Sequence, residues 1–248
     1  KDFEIKTMTQ PYESFGGRIK EQSSEYYTRV AERLRHKQRG ITIRDYEHLV
    51  LEEFPAIYKV KCINHTSRYS EYAPGNVSVV VIPYFKNKNE KNPFELKVSK
   101  AKLSEIRRFL VKLNSPFVNL DVRNPKYEPI RVHFGVEFHI GYDRTFYENQ
   151  LNEEIKEFIS PWAFGKEEDI IFGGKINHSI ILNFIEERPY VDFVTGFRMY
   201  QQENENKAEV EVLVAEGTTA SSVLVTALDH IIEEAQCDLV EVSGGDGG

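Results

Sequence analysis

The sequence predicts an α+β protein made of two tandem small open-faced α/β sandwich units with mixed or antiparallel sheets. Three observations predict it. Apolar residues recur at helical spacing in some stretches and alternate at strand spacing in others, and this succession occurs twice along the 248 residues. Capping residues and prolines punctuate the periodic segments. A turn-rich joint, Asn124 to Pro129, separates the two runs.

Residues 1–22 contain Pro11, Gly16 and Gly17 with little periodicity, and read as a linker arriving from an upstream region. The first α+β unit is expected over residues 23–124. It opens with a helix whose Tyr26, Val30 and Leu34 share one face. A second helix starts at Thr42, where Asp45 completes a capping-box pattern, and stops at Pro55. It buries Tyr46, Leu49, Val50 and Phe54. Tyr58, Val60 and Cys62 then alternate with Lys59 and Lys61, as in a strand with one wet face, whereas Val77 to Ile82 is apolar on nearly every residue and belongs at a sheet centre. Asn87 to Pro93 is a polar turn region. Ser99 caps a helix with the stripe Leu103, Ile106, Leu110 and Leu113, and Val118, Leu120 and Val122 form one more strand.

The second α+β unit is expected over residues 125–234. In its first strand Ile130, Val132, Phe134, Val136, Phe138 and Ile140 face one way, and Arg131, His133, Glu137 and His139 the other. A helix from Thr145, capped by Glu148, turns Tyr147, Leu151, Ile155 and Phe158 inward and ends at Ser160-Pro161. Asp169 to Phe172 reads as a short strand. Ile176, Ile180 and Phe184 mark a helix that stops before Pro189. Tyr190 to Val194 and Phe197 to Tyr200 read as strand, and Gln201 to Lys207 as a polar loop. Val210, Val212 and Val214 form a valine-rich strand alternating with Glu at its start, and Ser222 to Thr226 pairs back as a hairpin. Residues 235–248, ending Ser-Gly-Gly-Asp-Gly-Gly, are expected to be a disordered tail.

Hydrophobic residues make up 40% and charged residues 29%, the balance of a globular protein. The 16 Phe and 13 Tyr suit either well-filled cores or sizeable protein–protein contacts. A net charge of −7 argues against general attraction to nucleic acid or to anionic lipid. Cys62 and Cys237 match no metal or redox spacing and suggest folding in a reducing compartment, with one long-range disulfide as the alternative. No apolar run approaches the ~20 residues that span a bilayer. The first residues, Lys1-Asp2-Phe3-Glu4, lack an apolar leader, so the chain reads as a cytosolic product and a piece of something longer.

Signatures of catalysis are missing: there is no phosphate-binding Gly-x-x-x-x-Gly-Lys loop, no Gly-x-Ser-x-Gly elbow and no His-Glu-x-x-His helix. His133, Glu137 and His139 share one strand face and could hold an ion, but zinc sites usually draw ligands from several elements, so a polar solvated or interface strand is the favoured reading. Asp143 and Arg144, and the run Glu186-Glu187-Arg188, are explained by capping and surface pairing rather than acid–base work. Gly173-Gly174 reads as a left-handed turn rather than an anion site. The basic run Arg29, Arg33, Arg35, Lys37 and Arg39 is the one candidate interface, suited to an acidic protein surface or, less well in an acidic chain, to nucleic-acid phosphate. No catalytic residue, metal or cofactor is expected.

Longer stretches carry a resemblance. They include Arg29-Val-Ala-Glu-Arg-Leu-Arg-His-Lys-Gln-Arg39, Ile43-Arg-Asp-Tyr-Glu-His-Leu-Val50, Glu53-Phe-Pro-Ala-Ile-Tyr-Lys-Val-Lys-Cys62 and Pro74-Gly-Asn-Val-Ser-Val-Val-Val81. Ser115-Pro-Phe-Val118, Val122-Arg-Asn-Pro-Lys-Tyr-Glu-Pro-Ile130, Leu151-Asn-Glu-Glu154, Ser160-Pro-Trp162, Phe172-Gly-Gly174 and Arg188-Pro-Tyr-Val191 continue the series. In this order, from about Arg29 to Tyr200, the chain resembles J-like baseplate proteins, above all the C-terminal part of the large J-like protein of extracellular phage-tail-derived contractile injection systems. The region after Gln201 matches loosely and the tail not at all.

The resemblance implies a structural wedge component, without enzymatic activity, that links the spike and tube hub to the sheath and takes part in assembly and triggering. Implied partners are other baseplate proteins (wedge partners, hub and spike, sheath-proximal components) and further copies of the chain in a sixfold ring, with no nucleic acid and no membrane. It also implies synthesis in a bacterial cytoplasm and incorporation into a contractile particle released outside the cell. The alternatives are a myophage tail baseplate protein, a tip-associated hydrolase, and a nucleic-acid binder using the Arg29 to Arg39 segment.

Overall fold

The computed structural model describes residues 20–84, 92–164, 169–203 and 207–235. The chain divides into two compact units, residues 1–38 and 39–248. The expected linker (residues 1–19), most of the polar turn (residues 85–91), part of the polar loop (residues 204–206) and the tail from residue 236 lie outside the described residues.

In the first unit the described residues form one helix, α1 (Ser23–His36). Glu25 Oε2 accepts from the Gln22 N–H at 2.9 Å, which satisfies a donor the helix itself leaves unpaired. Arg33, Arg35 and His36 occupy the last turn, where positive charge suits the negative end of the helix dipole. Lys37, at φ 49°, ends the helix, and its N–H reaches the Arg33 carbonyl at 3.0 Å.

The second unit opens with α2 (Ile43–Glu53), β1 (Ile57–Asn64), β2 (Asn76–Pro83), α3 (Lys100–Val111) and β3 (Asn119–Arg123). Both helix starts lie where the sequence puts them. Thr42 Oγ1 accepts from the Asp45 N–H at 3.2 Å while Asp45 Oδ2 accepts from the Thr42 N–H at 2.8 Å. Ser99 Oγ accepts from the Lys102 N–H at 3.3 Å. The sheet order is β1-β2-β3, antiparallel and then parallel, with β2 central, as its largely apolar sequence favours. Tyr46, Leu49 and Val50 of α2 and Ile106 and Leu110 of α3 pack on Val60, Val79, Val81, Leu120 and Val122.

The remaining elements are β4 (Lys126–Phe138), α4 (Arg144–Ile159), β5 (Lys175–Asn177), α5 (His178–Glu186), β6 (Val191–Gln201), β7 (Val210–Glu211), β8 (Val214–Glu216), β9 (Ser222–Thr226) and β10 (Ile231–Glu234). A second sheet runs β10-β4-β6-β7, with β9 also on β4; β5 and β8 form a separate pair. Ile130, Val132, Phe134, Val136 and Phe138 of β4 meet Leu151 and Ile155 of α4 and Ile181 and Ile185 of α5. A third cluster draws Ile82, Phe94, Leu96, Tyr127, Trp162, Ile170, Val223 and Val225 together, so a shared core crosses the joint at residues 124–125. The α+β class with mixed sheets is as the sequence predicts.

Several local expectations are corrected. The joint at Asn124–Pro129 is mostly strand, because β4 begins at Lys126 and pairs there with β9. Ile140 is fully exposed, since β4 stops at Phe138 and the chain turns through Gly141 at φ 101°. Asp143, not Glu148, caps α4: its shorter carboxylate accepts from the Phe146 N–H at 2.8 Å. Asp169 to Phe172 forms no strand; the strand is β5, and Ile176 belongs to it. The buried stripe of α5 is Ile181 and Ile185, which leaves Ile180 half exposed.

Two more corrections concern pairing. Ser222 to Thr226 makes no hairpin with the valine-rich stretch: it lies parallel to β4, while Val210–Glu211 pairs with β6 and Val214–Glu216 with β5. The two strands expected after Tyr190 are one strand interrupted by a bulge at Gly196, whose φ of 60° a side chain would resist. Opposite it, a Cβ at Gly135 would stand 2.6 Å from Thr195 Oγ1 and 3.0 Å from the Ala235 backbone, so a side chain there would force one of them to move.

Candidate functional site

The basic segment is less uniform than its sequence. Arg29 is half-buried, paired with Glu21 at 2.8 Å and set over the Tyr26 ring at 5.5 Å. Arg33 and Arg35 are exposed on the last turn of α1, with Arg35 at 3.6 Å from Glu32. Lys37 is the left-handed cap rather than a helical residue, and Arg39 belongs to the second unit. The helix therefore ends before the basic run does. Its apolar positions are open as well: Tyr26, Tyr27 and Leu34 are 47%, 70% and 70% exposed. An amphipathic helix that keeps aromatic, aliphatic and cationic groups on its surface is equipped for protein contact, where Tyr and Arg are the favoured residue types.

The other sequence candidates resolve into structural roles. His133 Nε2 lies 3.2 Å from Glu233 and His139 Nδ1 lies 3.4 Å from Asp192, so each histidine has its own carboxylate. Among the described residues no three His, Cys, Asp or Glu side chains are grouped to hold a metal. Arg188 caps the end of α5 by donating to the Phe184 carbonyl at 3.0 Å and lies over the Phe184 ring. Gly173, at φ 64°, makes a tight turn whose N–H reaches the Ser222 carbonyl at 2.8 Å. Cys62 is a free, buried thiol, and burial raises its pKa to about 12; Cys237 lies outside the described residues. No described helix is long and apolar enough to cross a membrane.

Sequence reasoning missed two buried groups. Glu128 is fully buried, and its carboxylate accepts from Gln201 Nε2 and Ser222 Oγ, each at 2.6 Å, and from the Thr218 N–H and hydroxyl. It pins β4, β6, β9 and the turn before β9 to one another. His230 fills the gap between β9 and β10, where Nδ1 accepts from the Val132 N–H at 3.3 Å. Each depends on partners more than 70 positions away, Gln201 and Ser222 for Glu128 and Val132 for His230, which no linear motif signals.

The family model described as "Baseplate protein PVC11-like" matches residues 3–227. Among curated proteins none matches. A solved chain from the "Cryo-EM structure of the anti-feeding prophage (AFP) baseplate, 6-fold symmetrised" has a similar fold, with a TM-score of 0.57 at 21% identity. The alignment covers 85% of this chain and 43% of that one, so this chain spans less than half the length of the solved chain it matches.

Proposed function

Because the chain belongs to the PVC11-like family of baseplate proteins, we propose that it is a structural part of a J-like wedge component in a contractile injection system. In this reading it has no catalytic task. It links the spike and tube hub to the sheath, contacts other baseplate proteins, and repeats around a sixfold ring in a particle released from the bacterium that makes it. The observation that carries the proposal is the family match, which extends over residues 3–227. The fold shared with one chain of a sixfold-symmetrised baseplate supports it.

The α1 surface supplies the means of docking. Arg33, Arg35 and Lys37 are exposed, and Tyr27 and Leu34 add apolar area that becomes worth burying in a complex. A ring of such parts closes through head-to-tail contacts, and triggering is a shift between two packings of those contacts.

Deleting the parent gene in its producing bacterium and imaging lysates by electron microscopy tests the assignment. Assembled sheath–tube particles should vanish or leave only loose tubes. Intact particles that still carry a baseplate would overturn the wedge reading. Complementation with Arg33→Glu/Lys37→Glu then tests the docking segment: the wedge reading survives and the segment is excluded if this variant restores particles as fully as the unaltered gene.

A further inference from the structure

The chain is acidic overall, yet one open groove reverses that balance. It runs along β3 and the adjoining face of α3, has a volume of ≈ 860 Å³, and is lined by four cations, Arg68, Lys100, Arg107 and Arg123, against one carboxylate, Asp121. Lys100 and Arg107 come from α3, on the side of the sheet that carries the helices. Arg123 and Asp121 are on β3, where they alternate with the core residues Leu120 and Val122 and so project to the opposite side. Positive charge therefore flanks both faces of this sheet edge.

β3 is an outer strand of its sheet, so one edge is unpaired by any strand among the described residues. The Leu120 carbonyl on that strand is taken by a side chain, Arg107 Nε, at 3.0 Å. Asp121 Oδ2 and Arg123 Nε are buried without a hydrogen-bond partner among the described residues, although Asp121 Oδ1 accepts from Arg68 at 3.2 Å. An open strand edge flanked by cations is a template for an added acidic strand.

We infer that this groove binds an extended acidic peptide segment of a protein partner, which adds to β3 as a further strand. The backbone of the segment pairs with the β3 edge, displacing Arg107 from the Leu120 carbonyl. Acidic side chains, alternating up and down along the segment, meet Lys100 and Arg107 on one face and Arg68 and Arg123 on the other. Peptide fits better than nucleic acid because a strand edge recognises peptide N–H and C=O groups, which a phosphate backbone lacks. The inference stands apart from the wedge assignment, because it rests on this groove alone.

The test is fluorescence polarisation on the intact chain, with a labelled twelve-residue peptide of three Glu-Glu-Thr-Thr repeats as probe, which places glutamates on both faces of an extended strand. Lys100→Glu/Arg107→Glu and, separately, Arg68→Glu should each weaken binding, the double variant by about tenfold or more, with far-UV circular dichroism unchanged. The same peptide N-methylated at every second residue keeps its charge but loses donors, and should also bind at least about tenfold more weakly. Absence of binding, or binding indifferent to the variants, overturns the site. Equal binding of the N-methylated probe overturns strand addition, and tighter binding of a ten-nucleotide single-stranded DNA overturns the choice of peptide.

Discussion

Acidification should weaken the chain through one residue, His230. β9 and β10 both lie parallel on the same edge of β4, over Lys126–Ile130 and His133–Val136, with residues 227–230 bulging out between them. Where the ladder is interrupted, His230 Nδ1 takes the Val132 N–H at 3.3 Å in place of a backbone carbonyl. Nδ1 must be unprotonated to accept, so the ring proton sits on Nε2 and points at Thr226 Oγ1, 3.0 Å away. Burial first, then the nearby Lys156 and Arg131, disfavour a second proton and lower the pKa from 6.5 to about 3. Both cations have carboxylates of their own, Glu153 at 2.9 Å and Glu209 at 3.0 Å.

The folded protein thus holds His230 neutral, whereas the unfolded chain protonates it near its ordinary pKa. The associated stability is complete above about pH 6.5 and is lost as pH falls toward about 3. At about 1.4 kcal/mol per pKa unit, the loss is about 2 kcal/mol at pH 5 and approaches about 5 kcal/mol below pH 3. Urea unfolding at several pH values, followed through Trp162, measures it; Trp162 is the single tryptophan and is buried in the third cluster. The reference is His230→Asn, whose amide oxygen can accept from Val132 but does not titrate. Carboxylates contribute alike to both proteins, so the difference between their pH slopes isolates His230. If His230→Asn loses as much stability between pH 7.5 and 5 as the unaltered chain, the reasoning fails.

Further predictions follow from other buried groups and from the open helix. Glu128→Ala leaves the Gln201, Thr218 and Ser222 donors without their acceptor and should cost about 3–5 kcal/mol in urea unfolding, whereas Glu128→Gln, which keeps one acceptor oxygen, should cost less. In a Cys237→Ala background, Cys62 should resist Ellman's reagent at pH 8 until urea unfolds the chain, because burial keeps it a thiol. Phe134→Ala should cost about 3–5 kcal/mol, since that ring is enclosed in the main core. Leu34→Ala should change stability by less than about 0.5 kcal/mol and yet reduce incorporation into particles, the signature of a residue exposed in the free chain and covered on assembly.

What could be read in the sequence was local. Thr42 with Asp45, and Ser99 with Lys102, form their hydrogen bonds across three residues, so the helix starts are visible in the residue order. The alternation along Ile130 to Phe138 survives because one face is enclosed by α4 and α5. Parallel pairing leaves no such trace. Tyr127 pairs with Val223 across almost a hundred residues, and no turn joins them, so the valines near the end look equally suited to a hairpin. Pro129 misleads for a related reason. Its carbonyl accepts from the Gln202 N–H at 3.0 Å, on the side where β6 has already ended at Gln201, so its missing N–H costs little and a proline sits inside a strand.

The same limit governs the reading of interfaces. Arg29 to Arg39 stands out because its cations are close together in sequence, yet the structure pairs Arg29 with Glu21 and ends the helix before Lys37. Arg68, Lys100, Arg107 and Arg123 are scattered over more than fifty residues, and each looks like an ordinary surface charge until the β1–β2 loop, α3 and β3 bring them to one groove. Linear density of charge reports where cations are made together; the potential a partner meets depends on where the fold puts them and on which carboxylates neutralise them. Charge reversal at Lys100 and Arg107 should therefore disturb acidic-peptide binding more than an equal reversal at Arg29 and Arg35, and the reverse ranking would show that the linear run is the dominant docking surface after all.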